Sequence, residues 1–168
     1  MGGERIIDDP LSVITLLPLF AGLLLILLTQ VLPSSQSEGL ARVSRNVSMG
    51  IAMAVAVITT MLFIGNWGSI DWTNITQGGY VLQNDAIDLI PSIGVTWKVG
   101  ADALSFPMIW LTTVLIPISM LVEWDAKRGH LFHPLLLVME GALLGVFVVL
   151  DLFVFYVFWE LTLIPMFL

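Results

Sequence analysis

Six side chains of this sequence have the chemistry to move protons or bind cations from inside otherwise apolar runs. Glu160 stands in FYVFWELTLIP (155–165), among aromatic and aliphatic neighbours. Glu140 lies in a second apolar run, flanked by Gly141 and Gly145. Asp151 separates the two runs, and Tyr156 precedes Glu160 by four residues, one helical turn on the same face. His130 and His133 complete the set as an H-x-x-H pair at a loop-to-helix junction, with no third ligand nearby to hold a metal. An ionised carboxylate at the centre of a membrane helix costs about 2.5–3.5 kcal/mol on insertion scales. Between Leu152 and Leu168 there are eleven Leu, Ile, Val and Phe residues, which return roughly 5 kcal/mol together. Insertion therefore tolerates Glu160. Acids at such depth face a bundle interior and mark ion or proton paths, or serve as hydrogen-bonding anchors. Pro165 leaves the Leu161 carbonyl without its helical donor, one residue past the acid. The result is either a loosened turn that admits water or an ordinary proline kink. Asp151, nine residues before Glu160, falls on the opposite helix face and suits a helix cap. Glu140 is either a second relay station or a locally paired acid.

The elements that must position these groups are apolar helices. Of the 168 residues 58% are hydrophobic and 11% charged, and the mean hydropathy is +0.98; soluble domains carry about 25% charged residues. Five segments approach the roughly 20 apolar residues a bilayer span requires: Leu11–Leu32, Ser44–Gly65, Ala103–Val122, Leu131–Leu150 and Leu152–Leu168. The first has acidic residues before it and a run too long for a cleaved signal peptide. Arg42, Arg45, Lys127 and Arg128, four of the six cations, fall on one face of a five-span arrangement. That face is expected to be cytoplasmic, with residues 66–102 outside. This long segment alternates turn residues with β-prone pieces, Gly79–Gln83 and Ile93–Val99, and predicts a small hairpin. Trp67, Trp72 and Trp97 are expected at headgroup level. Close approach of the fourth and fifth helices is expected at Gly141 and Gly145. The N-I-T tripeptide at Asn74–Thr76 matches a glycosylation acceptor but is common.

Net charge is −7 with scattered cations, and nothing resembles a nucleic-acid surface. With no cysteine in the sequence, disulfides, thiolate zinc sites and cysteine-ligated clusters are excluded. The last helix runs out at Leu168 with no cap or interfacial residue, as expected of a piece of a longer protein.

Two stretches carry a family likeness. GVFVVLDLFVFYVFWELTLIPMFL (Gly145–Leu168) resembles the fourth-to-fifth helix region of the M-type antiporter-like subunit of respiratory complex I, chain 4 of NADH–quinone oxidoreductase. VGADALSFPMIWLTTVLIPISMLVEW (Val99–Trp124) is similar to its third-helix motif G-V-D-G-[LI]-S followed by L-T-T and a proline. Asp102, Ser105, Leu111, Thr112, Thr113 and Pro117 match, while Ala101 and Ala103 replace the usual Val and Gly. The resemblance implies an all-α membrane protein, these residues being the amino-terminal part of a fourteen-helix antiporter-like fold. It implies a proton-translocating subunit of an oxidoreductase complex, with other complex I membrane subunits and the lipid bilayer as partners. The membrane would be a cell membrane or an organelle inner membrane. NADH and quinone would be used elsewhere in the complex, with no cofactor on this chain. Glu160 falls on the glutamate that pairs with a lysine of a later helix, and Asp151 and Glu140 on recurrent acidic positions. Competing readings are a subunit of a multi-subunit cation/proton antiporter or of a membrane-bound hydrogenase with the same fold, and a small structural membrane protein.

Overall fold

The computed structural model describes residues 6, 9–31, 37–70, 79–122, 124 and 131–167. Trp72, Asn74, Lys127, Arg128 and His130 lie outside the described residues. Five helices form: α1 (Pro10–Val31), α2 (Ser37–Asn66), α3 (Ser105–Val122), α4 (Phe132–Val148) and α5 (Leu152–Phe167). Between α2 and α3 four short strands form: β1 (Leu82–Gln83), β2 (Ile87–Ile90), β3 (Val95–Trp97) and β4 (Gly100–Ala101). The all-α architecture with a small hairpin agrees with the expectation from sequence.

The starts of α1, α3 and α5 are set by acidic caps. Asp9 Oδ2 accepts both the N–H and the hydroxyl of Ser12, each at 2.8 Å, with Pro10 in the first helical position. Asp102 Oδ1 does the same for α3, accepting from the backbone N–H of Ser105 at 2.7 Å and of Leu104 at 3.1 Å, and from the Ser105 hydroxyl. The D-x-x-S spacing of the third-helix motif is thus a capping device. α2 begins at Ser37, seven residues before the apolar run expected from sequence, because its first two turns are polar. α4 stops at Val148, two residues early: Val149 turns extended (ψ 132°) and pairs with Val99 of the strand region. Among the described residues, three helices are long and apolar enough to cross a membrane, within Pro10–Val31, Ala41–Ser69 and Ser105–Val122. α4 and α5, at 17 and 16 residues, are apolar but shorter.

α4 is the hub, packing against α1, α5, α3 and α2. Its crossing with α1 is backbone to backbone. A Cβ on Gly141 would stand 2.6 Å from the Leu19 nitrogen and 2.8 Å from the Thr15 carbonyl oxygen. One on Gly22 would stand 2.8 Å from the Pro134 carbonyl oxygen. Small residues at both points allow this approach. Gly141 therefore serves α1, not α5 as expected; Gly145 alone faces α5, under the Phe158 ring.

The strands pair as two nested two-stranded antiparallel sheets, which together make up the ribbon. β1 pairs with β4 (Leu82↔Ala101) and β2 with β3 (Ile87↔Trp97), closed by a 3-10 turn at Pro91–Ile93 and Gly94 at φ +73°. The left-handed φ of Gly94 costs a residue without Cβ nothing. β3 turns Val95 and Trp97 inward. Trp97 is 5% exposed and is no headgroup anchor: its indole N–H donates to Ser12 Oγ at 2.8 Å, and its ring lies 6.1 Å from that of Phe158. The ribbon thereby plugs the α1–α4–α5 end of the bundle. Trp67 remains half-exposed.

Candidate functional site

The site residues read from the sequence fall in three places, Glu140 on α4, Asp151 in the α4–α5 turn, and Tyr156, Glu160 and Pro165 on α5, and do not converge on one point. Asp151 sits in the tight α4–α5 turn. Its Oδ1 accepts from the N–H of Phe153 (2.9 Å) and Val154 (3.1 Å), and its Oδ2 from Thr96 N–H (3.1 Å). The carboxylate caps α5 and clips β3 to it at once. Bonds from Thr96 and Val154 N–H hold its pKa below the usual carboxylate range. Asp102 is likewise held low: burial pushes it up, but the Ser105 hydroxyl and neighbouring N–H groups outweigh that. Both acids are structural anions in this arrangement.

Glu160 projects from α5 on the face turned away from α4. That face runs Phe153, Tyr156, Val157, Glu160, Ile164, Phe167 at helical spacing, and each of these is exposed. Within it the phenol of Tyr156 interacts with the Glu160 carboxylate one turn later. The opposite face, Val154 and Phe158, packs on α4. Pro165 lies one further turn along α5, inside the helix. The acid that sequence reasoning expects to find buried is thus presented, in this chain, on an apolar surface.

Glu140 has the reverse placement. It is 0% exposed, and neither carboxylate oxygen has a hydrogen-bond partner among the described residues. It shares a stripe of α4 with His133, Leu137 and Leu144, at intervals of 4, 3 and 4 residues, and all four are buried. Leu137 packs with Ala52 of α2 and with Ile116 and Met120 of α3, so the stripe faces those helices. At the α4 start, Arg45 donates to the Trp124 carbonyl at 3.0 Å. Its guanidinium stacks 4.3 Å over the Trp124 ring, and the His133 ring meets that indole edge-on at 6.1 Å. Sequence reasoning assigned no role to Ser44 and Ser48. They are 1% and 0% exposed, and their hydroxyls lack partners, as does His133 Nε2. Their signal in the sequence is an i,i+4 serine pair entering an apolar helix.

The arrangement defines a class: a membrane-embedded helical segment with one acid sealed inside and one on an unpaired helix face. No family model matches the chain. Chain 4 of NAD(P)H-quinone oxidoreductase from Prochlorococcus marinus (strain MIT 9211) is 32% identical over 159 residues, 94% of this chain and 26% of that protein. F(420)H(2) dehydrogenase subunit M of Methanosarcina mazei is 44% identical over 85 residues, 49% of this chain and 17% of that one. A solved chain of respiratory complex I from Thermus thermophilus with bound NADH superposes with a TM-score of 0.65 at 30% identity. That likeness covers 92% of this chain and 27% of the other. The chain is homologous to the chain 4 membrane subunit of NAD(P)H-quinone oxidoreductase, as its own motifs indicate, and spans about a quarter of that protein's length. It is an integral membrane protein of an energy-coupling membrane.

Proposed function

We propose that the chain forms part of a proton-translocating membrane subunit of NAD(P)H–quinone oxidoreductase, one that couples electron transfer to quinone with proton movement. The segment carries no redox step of its own; NADH and quinone react elsewhere in the complex, and its partners are the neighbouring membrane subunits and lipid. The observation that carries this is Glu160, a carboxylate centred on an exposed, otherwise apolar helix face. In hydrocarbon such a face is stable only against further protein that supplies a cation or water. A buried cation there attracts the carboxylate strongly, because the low-dielectric surroundings screen little. Separating or closing that pair then captures or releases a proton. Tyr156 holds the carboxylate from one side, Pro165 frees the Leu161 carbonyl for water, and Glu140 is a relay within the bundle.

The test is Glu160→Gln and Glu160→Ala in the assembled complex, in sealed vesicles. Donor-driven proton uptake is expected to vanish while the complex still assembles; undiminished uptake overturns the reading. A second donor is favoured by one observation, the 44% identity to the F(420)H(2) dehydrogenase subunit. Assaying the purified complex with NADH, NADPH and F(420)H(2) in turn decides between them.

A further inference from the structure

The α2–α4 contact contains more unpartnered polar atoms than a passive helix contact tolerates. Buried side-chain polar atoms in folded proteins are bonded in the large majority of cases, and each exception requires an explanation. Here Ser44 Oγ, Arg45 Nε, Ser48 Oγ, His133 Nε2 and both oxygens of Glu140 are buried without a hydrogen-bond partner among the described residues. Apart from Arg45 at the end of the contact, they belong to two stripes, one on α2 and one on α4. On α2 the stripe is Ser44, Ser48, Ala52, Val55 and Thr59, each at most 3% exposed. On α4 it is His133, Leu137, Glu140 and Leu144.

Their relative level is fixed by contacts. Arg45 and His133 both meet the Trp124 ring at one end, and Ala52 packs with Leu137 in the next layer. Ser48 and His133 therefore lie at about the same level, one turn before the Ala52–Leu137 layer. Glu140 lies one turn beyond it. The interface reads polar, apolar, polar. The apolar layer is Ala52, Ile116, Met120 and Leu137, and it spans one turn of α3. Met120 contributes an unbranched, rotatable chain to it.

We infer that the α2–α3–α4 contact is a gated proton access path, opening beside Arg45, lined by Ser44, Ser48 and His133, and ending on Glu140. Water supplies the partners that the hydroxyls, Nε2 of the imidazole and the carboxylate lack among the described residues, since a polar site with several unpaired groups retains water where an apolar one stays dry. The Ala52–Leu137 layer interrupts the water chain until Met120 and Leu137 part. The O–H bond of Glu140 then breaks as one forms on the nearest water, each water passes one proton to the next, and the reverse sequence returns a proton to the carboxylate, so that only protons are transferred. No charged group among the described residues acts on Glu140, and an isolated ionised carboxylate is not retained in such surroundings. The resting end of the path is the neutral acid. This path deepens the role of Glu140 as a relay and rests on that reading for its purpose, but its existence is separately measurable.

The measurement is hydrogen–deuterium exchange of the Glu140 carboxyl in the intact, non-turning-over complex, followed by infrared spectroscopy. Glu140→Gln identifies its carbonyl band by difference. Ser48→Val is expected to slow the exchange about tenfold, the loss of one or two water hydrogen bonds along the path. Ala52→Ser, which adds a hydroxyl to the apolar layer, is expected to quicken it. Absence of a band removed by Glu140→Gln, or exchange rates unmoved by both Ser48→Val and Ala52→Ser, overturns the path. If instead the exchange responds while Glu160→Gln pumps normally, the proposed function fails and the access path stands.

Discussion

The two intramembrane glutamates differ in everything but charge type. Glu140 is buried on α4, the helix that packs against four others of this chain, and shares its stripe with Leu137 and Leu144. Glu160 stands on the outer face of a helix that packs mainly on α4 and β3. What separates them is the density of the packing around the carrying helix: α4 is sandwiched, α5 is docked on one side. A sealed acid costs stability where it is and can exchange protons only along a path through the core. An acid on an open face costs little until a partner covers it, and then its energy depends on that partner. One site is set by this chain, the other by its surroundings.

The largest expected effect exploits that contrast directly. Glu140→Leu replaces a buried carboxyl that has no protein hydrogen-bond partner among the described residues with an apolar side chain, and is expected to raise the stability of the complex by about 1–3 kcal/mol, read as a later midpoint of thermal inactivation. Glu160→Leu is expected to leave that midpoint within about 0.5 kcal/mol while abolishing proton uptake. Equal stability changes in the two variants would erase the distinction.

The glycines of α4 test the sandwiched and the docked side in the same way. Gly141→Ala is expected to cost about 1–3 kcal/mol, because the added methyl meets main-chain atoms of α1 that cannot move without separating the helices. Gly145→Ala meets the Phe158 ring instead. A second change, Phe158→Leu, is expected to restore assembly of the Gly145→Ala variant, whereas no single side-chain change restores Gly141→Ala. Rescue is scored by the amount of intact complex in the membrane.

Much of this architecture was legible from residue types alone. Apolar runs place all five helices, because in a bilayer the run length and the helix length are the same physical requirement. The turn residues around Gly79–Gln83 and Ile93–Val99 place the hairpin. The positions of individual side chains were less accessible. Trp97 belongs by composition to an aromatic belt, yet strand alternation turns it inward onto Ser12, 85 residues away. Gly141 and Gly145 look equivalent, but one helical turn separates the face that meets α1 from the face that meets α5. Nothing local distinguishes the sealed Glu140 from the open Glu160, since burial is decided by which helices dock on which face. The line of Ser44, Ser48 and His133 was missed for the same reason: its parts lie on two helices and become a line only when those helices pack.

The caps extend the comparison to pH. Asp102 anchors α3 and its pKa is lowered in the folded protein. Its contribution is therefore complete above the unfolded carboxylate pKa of about 3.9 and is lost as pH falls through the lower folded value. Asp102→Ala is expected to cost about 0.5–2 kcal/mol at neutral pH, shrinking as the medium is acidified below the ordinary carboxylate range. Asp151→Ala is expected to follow the same direction, with an added loosening of the ribbon because Thr96 loses its acceptor. Protection of the Thr96 amide against hydrogen exchange reports that loosening. Unchanged protection would mean the ribbon is held by its strand pairing alone.

The smallest effect concerns how the ribbon is tied to the sealed side. Trp97 donates to Ser12 Oγ, and Ser12 Oγ in turn donates to Asp9 Oδ2, both at 2.8 Å. The indole is thus bonded to the cap of α1 through one hydroxyl. Trp97→Phe keeps most of the buried ring and removes only the donor, at an expected cost of about 0.5–1.5 kcal/mol. Ser12→Ala removes the same bond together with the cap contact, so it should cost more. In the double variant the Trp97 bond is already gone, and the combined cost should fall short of the sum. The shortfall measures the Trp97–Ser12 bond itself. Strict additivity in thermal inactivation would show that Trp97 seals this end by packing against Phe158 and not through the hydrogen bond.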